Sequence, residues 1–123
     1  MKSTQAQIQE RLPVWESLSE FFLDSELQAE DYGRIAKELA TTNFSEYEIE
    51  EILICEVCPA CRSNLLAPAG EWVAFDPEWL KKEIAPRIGK RMKLKFLFKL
   101  RHSWMYSRHW NKVRKLIAEA RLK

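Results

Sequence analysis

The chain has 123 residues, 46% of them hydrophobic, which is enough to bury the core of one folded domain. Its 3 glycines and 5 prolines are too few for the many tight turns of a β-barrel or β-sandwich. The net charge of +2 conceals a division, because residues 1–80 carry 5 Lys/Arg and 16 Asp/Glu (−11), whereas residues 81–123 carry 15 and 2 (+13).

Helical periodicity begins near the start of the chain. A first helix is predicted by apolar residues at steps of three and four, namely Ile8, Leu12, Trp15, Leu18 and Phe22. We expect Pro13 to separate a loose lead-in from the main helix, because proline fits best in a first helical turn. A second helix is predicted by Tyr32, Ile35, Ala36 and Leu39 and ends near Asn43.

The third helix starts with a recognisable cap. Ser45 and Glu48 have the spacing of a capping box, in which each side chain bonds the other residue's backbone. Its apolar stripe is predicted to be Ile49, Ile52, Leu53 and Val57. Pro59 is expected to stop this helix, since the residue before a proline avoids helical angles.

Residues 62–75 show no clear period and predict a loop, with a short extended segment near 71–75. The sequence DPEW then marks a helix start, with Asp76 as the cap and Pro77 in the first turn. Residues 92–100 alternate apolar and basic side chains as a strand does, but their apolar spacing also fits a helix, which we favour. A last helix is predicted by Tyr106, Trp110, Val113, Ile117 and Ala120.

These elements predict a single all-α domain over residues 1–123. We expect a compact bundle of about five or six helices, in which residues 1–80 form the acidic part and residues 81–123 form a basic helical C-terminal part.

The three cysteines are clustered in one short stretch, Cys55, Cys58 and Cys61. A structural zinc site needs four ligands, usually as two separated pairs, and this cluster supplies only one group. A redox pair would need a stabilised thiolate, whereas Glu56 and the end of a helix both disfavour one. We therefore predict buried, free cysteines and expect no metal and no cofactor.

Two histidines follow arginines in RHSWMYSRHW. On one continuous helix, His102 and His109 would share a face about 10 Å apart. With Lys112 they resemble the acid, base and cation of a metal-independent nuclease, but the separation is too long and nothing orients either ring. We expect a solvated basic face, no catalytic residues and no enzymatic activity.

Nucleic-acid binding is a stronger alternative for the C-terminal part. Basic residues lie among Trp104, Tyr106 and Trp110, so phosphates and bases both have partners of the right type. Tyr106 and Trp110, however, fall on the predicted core stripe of the last helix. The candidate nucleic-acid-binding residues are Lys95, Lys99, Arg101, Arg108, Lys112 and Lys115.

The acidic part suggests binding to a cationic protein. Nucleases present cationic clefts, and an acidic protein can occupy such a cleft by imitating phosphates with carboxylates. Apolar anchors are also required, for which Tyr32, Phe44 and Tyr47 are candidates. The candidate acidic contacts are Asp24, Glu26, Glu30, Asp31, Glu46, Glu48, Glu50 and Glu51.

Targeting signals are not apparent in the sequence. No apolar run approaches the roughly 20 residues that cross a bilayer, and the first residues lack the apolar core of a signal peptide. Together with the odd number of cysteines, this predicts a cytoplasmic protein that does not associate with a membrane.

Several stretches resemble a family of small bacterial proteins of unknown function. They occur in order over residues 11–84: RLPVWESLSEFFLDSEL, YGRIAKELA, EIEEILICEVCP, NLLAPAGEW and FDPEWL. These landmarks are helix caps, tryptophans and a loop glycine, so the resemblance carries no catalytic residues over. Small helical proteins of this kind are similar to immunity proteins of bacterial toxin systems, including contact-dependent growth inhibition.

The leading hypothesis is a cytoplasmic immunity protein that neutralises a cognate bacterial toxin, a nuclease, by covering its active site. The expected partner is that toxin, and no chemistry of the chain's own is required. The alternative is a nucleic-acid-binding protein that uses the basic C-terminal helices.

Overall fold

The computed structural model describes residues 5–23, 26–66, 75–88 and 95–122. Their α-helical segments are α1 Gln5–Ser19, α2 Ala29–Ala40, α3 Glu46–Ile52, α4 Cys58–Leu66, α5 Pro77–Ile84, α6 Lys95–His102 and α7 Ser107–Leu122. A π turn over Leu53–Val57 joins α3 to α4 without a break, so these seven segments form six helices. The described residues contain no strand, and the predicted all-α bundle is confirmed.

The core lies between α1, α2, the α3–α4 helix and α7. Helix α7 packs along α2, α5 packs against α1, and α6 packs against the π turn. Side chains that the helical period predicts as core are buried, including Trp15, Leu18, Ile35, Ile49 and Trp110. Of the predicted extended segment, residues 71–74 lie outside the described residues, and Phe75 is buried but belongs to no helix or strand.

Both predicted helix starts are present. Ser45 Oγ accepts from the Glu48 N–H at 3.1 Å, and a Glu48 carboxylate oxygen accepts from the Ser45 N–H at 2.8 Å. Asp76 accepts from the Trp79 N–H at 3.1 Å at the start of α5. These bonds satisfy amide groups that a helix leaves without internal partners, which is why the sequence signature was informative.

Pro13 does not divide the first helix, contrary to the prediction. Helix α1 runs through it from Gln5 to Ser19. Both Pro13 and Gln9, one turn earlier, are exposed. The carbonyl that loses its partner at a proline is therefore on the solvent side of the helix, where the missing bond costs least.

Pro59 does not stop the third helix either. Cys58 has helical angles (φ −58°, ψ −48°), and its N–H donates to Leu53 five residues earlier. This π turn starts a new register, so Pro59 falls in the first turn of α4, where a missing N–H costs little. The helix consequently continues to Leu66.

The last turn of α7 is tied to the end of α2. Arg121 donates to the backbone carbonyls of Leu39, Ala40, Thr42 and Phe44 at 2.6–3.3 Å. One guanidinium thereby bonds carbonyls at the C-terminal end of α2 and in the turn into α3. No helix within the described ranges is long and apolar enough to cross a bilayer.

Candidate functional site

The predicted acidic residues that the structure describes lie at two places. Glu26, Glu30 and Asp31 are at the start of α2, and Glu46, Glu48, Glu50 and Glu51 are on α3, beyond the other end of α2. We call these seven residues together the acidic surface. Glu26, Glu30 and Glu48 are exposed, and the other four are partly exposed. Asp24, which was predicted with them, lies outside the described residues.

Part of the acidic surface also stabilises the helices that carry it. Asp31 accepts from the Gln28 N–H at 2.8 Å at the start of α2, as Glu48 does for Ser45 at the start of α3. Carboxylates are favourable there because the first turn of a helix is electropositive. Asp31 is also paired with Arg34 at 3.4 Å, whereas Glu48 is exposed to solvent.

The predicted apolar anchors do not all lie at the surface. Tyr47 is 68% exposed and is accessible beside the acids of α3. Tyr32 is buried, and its hydroxyl lies 2.7 Å from His109 Nδ1. Phe44 is also buried, beneath the guanidinium of Arg11 at 5.3 Å. Packing against α7 and α1 covers Tyr32 and Phe44, so Tyr47 alone of the three predicted anchors lies exposed at the surface.

A cleft that the sequence did not reveal lies between α1 and the turn after α2. It has a volume of about 490 Å³ and is lined by Glu10, Pro13, Glu16, Glu38, Thr41, Thr42 and Asn43. Burial in the cleft and the charge of Glu38 raise the pKa of Glu16, whereas Lys81 lowers it, although the side chain keeps contact with solvent. Glu38 also accepts from the Ser17 hydroxyl at 2.8 Å.

This cleft enlarges the negative region beyond the predicted residues. Its carboxylates come from two successive helices, Glu10 and Glu16 from α1 and Glu38 from α2, so a search for acidic runs misses them. The closest sequence signal is that Glu16 and Glu38 each lie one residue outside the apolar stripe of their helix. The cleft accommodates a cationic side chain better than an anion, because like charges repel.

Glu56 belongs to the interior and not to the acidic surface. It is 6% exposed, and its carboxylate accepts from Trp15 Nε1 at 2.9 Å and from Arg11 at 3.1 Å. Burial raises the pKa of Glu56, while the bond from Trp15 and the charge of Arg11 oppose that shift.

The basic residues of the alternative hypothesis occupy α6 and α7. Five of them are exposed, namely Lys99, Arg101, Arg108, Lys112 and Lys115, and the side chain of Lys95 lies outside the described part. Trp104 is 66% exposed, whereas Tyr106 and Trp110 are 2% exposed. As expected from the helical stripe, two of the three nearby aromatics are core residues and cannot stack on bases.

The two histidines do not share a helix face. A 3₁₀ turn, Ser103–Met105, separates α6 from α7, and the continuous helix assumed for the 10 Å estimate does not exist. The ring of His102 lies 4.1 Å from that of Phe98. The ring of His109 stacks on that of Phe21, with 5.4 Å between centroids. Burial lowers the pKa of His109, and the positive charges of Arg108 and Lys112 lower it further. Each ring has a separate packing role.

The cysteines extend the buried side of the helix, as predicted. Cys58 and Cys61 are fully buried, and Cys55 is half-buried. Burial raises the pKa of Cys58 to about 12, although the charge of Arg62 opposes the shift. Burial and the neighbouring Cys58 also raise the pKa of Cys61. Neither is a reactive thiolate at neutral pH. Within the described ranges, no three Cys, His, Asp or Glu side chains are placed to hold a metal ion.

Comparison with known proteins places the chain in a family. No curated protein and no solved structure matches it significantly. A family model described as a domain of unknown function, DUF7079, matches residues 9–116, which includes the acidic surface, the cleft and most of α7. The chain is thus a member of the DUF7079 family.

Proposed function

We propose that this protein is a cytoplasmic immunity protein that neutralises a bacterial toxin, as in contact-dependent growth inhibition. The toxin is a nuclease, and the acidic surface covers its cationic active site. The protein acts by binding alone, so the proposal assigns it no catalytic residues, metal or cofactor. Membership of a family of unknown function leaves the activity to be tested directly.

The observation that carries this proposal is the set of contacts made by the C-terminal arginines and lysines. Arg121 bonds four backbone carbonyls, and Lys112 lies 5.0 Å above the ring of Tyr32. Lys99 contacts Glu50 at 3.4 Å, while Glu26, Glu30 and Glu48 are exposed to solvent. The C-terminal part has an excess of 13 positive charges. The carboxylates of Glu26, Glu30 and Glu48 nevertheless remain accessible to another macromolecule.

Electrostatics explains how such a surface would work. A cluster of carboxylates steers a cationic protein toward it and raises the association rate more than the final affinity. Tyr47 adds an apolar contact of the kind that holds a complex together once formed. The cleft lined by Glu10, Glu16 and Glu38 offers a second place for a lysine or arginine of the toxin.

The test uses the protein encoded by the neighbouring gene, purified with its active site inactivated. The double variant Glu26→Lys with Glu30→Lys is expected to slow association about tenfold at low salt, as measured by stopped-flow fluorescence. Glu119→Lys changes an exposed carboxylate on α7 and is expected to leave the rate unchanged. Failure to form a complex, or equal slowing by both variants, contradicts the proposal.

Nucleic-acid binding is retained as the alternative because Trp104 and five cations are exposed on α6 and α7. It predicts that a fluorescent single-stranded oligonucleotide binds with an affinity that falls steeply with salt. Arg101→Glu with Arg108→Glu would then abolish binding, whereas Glu26→Lys would not weaken it. An oligonucleotide that does not bind at 50 mM salt excludes this alternative.

A further inference from the structure

The turn between α2 and α3 borders both the cleft and the part of the acidic surface that α3 carries. Residues 41–43 form one wall of the cleft. Ser45 follows as the cap of α3, whose first turn contains Tyr47 and two carboxylates of the acidic surface. The conformation of residues 41–45 therefore sets where the carboxylates of α3 lie relative to those of the cleft.

A side chain of α7 bonds the backbone of this turn. Arg121 donates from Nη2 to the carbonyl oxygen of Phe44 at 2.6 Å and to that of Thr42 at 3.3 Å. It also bonds the carbonyls of Leu39 and Ala40 at the end of α2, each at 3.3 Å. One guanidinium spans the helix end and the turn because its nitrogens form a rigid, planar fork of donors.

Phe44 is held from two directions at the end of this turn. Its carbonyl accepts the shortest of the Arg121 bonds, and its ring lies 5.3 Å from the guanidinium of Arg11 on α1. Arg11 is itself paired with the buried carboxylate of Glu56 at 3.1 Å. Helices α1 and α7 thus hold the backbone immediately before Ser45. A turn held in this way has fewer conformations in the free protein, so less entropy is lost when a partner binds.

We propose that Arg121 is a positioning residue, which holds the cleft and the start of α3 in the arrangement that binds the toxin. This inference rests on the proposed function. Its test is sharp because Arg121 has the opposite charge to the carboxylates that it positions. Removal of a cation near these carboxylates strengthens their attraction for a cationic toxin, whereas loss of the positioning bonds weakens the complex. Charge and positioning therefore predict changes of opposite sign.

Surface plasmon resonance with the inactivated toxin of the neighbouring gene tests the role of Arg121. Arg121→Ala is expected to raise the dissociation rate about tenfold. Arg121→Lys keeps the charge but offers one nitrogen in place of the fork, so we expect it to restore little of the loss. Arg114→Ala removes an exposed cation from the same helix, and Asp76→Ala destabilises the fold by removing the cap of α5. Neither control is expected to raise the dissociation rate.

Amide hydrogen exchange of the free protein tests the positioning without the toxin. Arg121→Ala is expected to speed exchange over residues 41–48 about tenfold, and Asp76→Ala is expected to leave this segment unchanged. Unchanged exchange in Arg121→Ala, unchanged dissociation of its toxin complex, or equally fast dissociation in Asp76→Ala overturns the role of Arg121 alone. A wild-type protein that does not bind the toxin overturns the proposed function, and this inference with it.

Discussion

Glu48 and Glu56 lie eight residues apart on one continuous helix, yet they have opposite environments. Glu48 is exposed, caps the first turn of α3 and belongs to the acidic surface. Glu56 lies in the π turn, is 6% exposed and binds Trp15 and Arg11 of α1. Two glutamates therefore differ because of the helices that pack over them, since their residue type is the same. Packing places Glu56 in the interior and leaves Glu48 accessible to a partner. Substitution of like residues in unlike environments tests this comparison.

The largest effect is expected at Glu56. Glu56→Ala removes the acceptor for Trp15 Nε1 and leaves Arg11 without its carboxylate, so we expect a loss of about 2–4 kcal/mol of unfolding free energy. Glu46→Ala removes a partly exposed carboxylate from the first turn of α3 and should cost no more than about 1 kcal/mol. Urea denaturation followed by circular dichroism measures both. Equal losses would contradict the comparison.

Two arginines of α7 provide a second contrast. Arg121→Ala removes the donor to four backbone carbonyls at the end of α2, and we expect a loss of about 1–2 kcal/mol. Arg114 is exposed on the same helix, and Arg114→Ala is expected to change stability by less than about 0.5 kcal/mol. Thermal unfolding distinguishes them, and similar melting temperatures for the two variants would show that the Arg121 bonds are not stabilising.

The cap of α3 offers a smaller effect of known origin. Ser45→Ala removes the oxygen that accepts from the Glu48 N–H and is expected to cost about 1 kcal/mol. Ser45→Asp keeps an acceptor at the same place, and we expect it to restore most of the stability. If Ser45→Asp is as unstable as Ser45→Ala, the hydrogen bond is not the source of the loss.

A final effect concerns pH and His109. Burial lowers the pKa of His109 in the folded state, so the unfolded chain binds a proton more readily. The stability that depends on this group is therefore complete above about pH 6.5 and falls as the pH decreases below it, by at most about 1.4 kcal/mol per pH unit because only one proton is taken up. His109→Gln is expected to reduce this slope between pH 6.5 and 5.5, as measured by urea denaturation at each pH. An unchanged slope in His109→Gln would place the proton uptake elsewhere.

Local signals in the sequence predicted much of the fold. The capping box at Ser45 and the Asp76–Pro77 start were correct because a cap depends on residues only three positions apart. The two prolines were misjudged because their effect depends on what lies beyond the local sequence. Pro13 is tolerated on an exposed face, and Pro59 is tolerated because a π turn changes the hydrogen-bond register before it.

The candidate site was predicted less completely. Exposure of Glu26, Glu30, Glu48 and Tyr47 agrees with the expected acidic surface. Tyr32 and Phe44 were assigned to that surface, but both belong to the core. Aromatic residues beside acidic ones look the same in a sequence whether they contact a partner or the next helix.

By itself the sequence determined the helical class, the two caps and most core positions, as well as the division of charge between the two parts of the chain. These properties follow from helical periodicity and from neighbours within a few residues. Only the tertiary structure decided that Glu56 is internal, that Glu10, Glu16 and Glu38 share a cleft, and that Leu97, Leu100 and Trp104 face solvent. Each of these depends on which helices pack together. Helix packing brings residues of different helices into contact, and no local sequence pattern indicates such a contact.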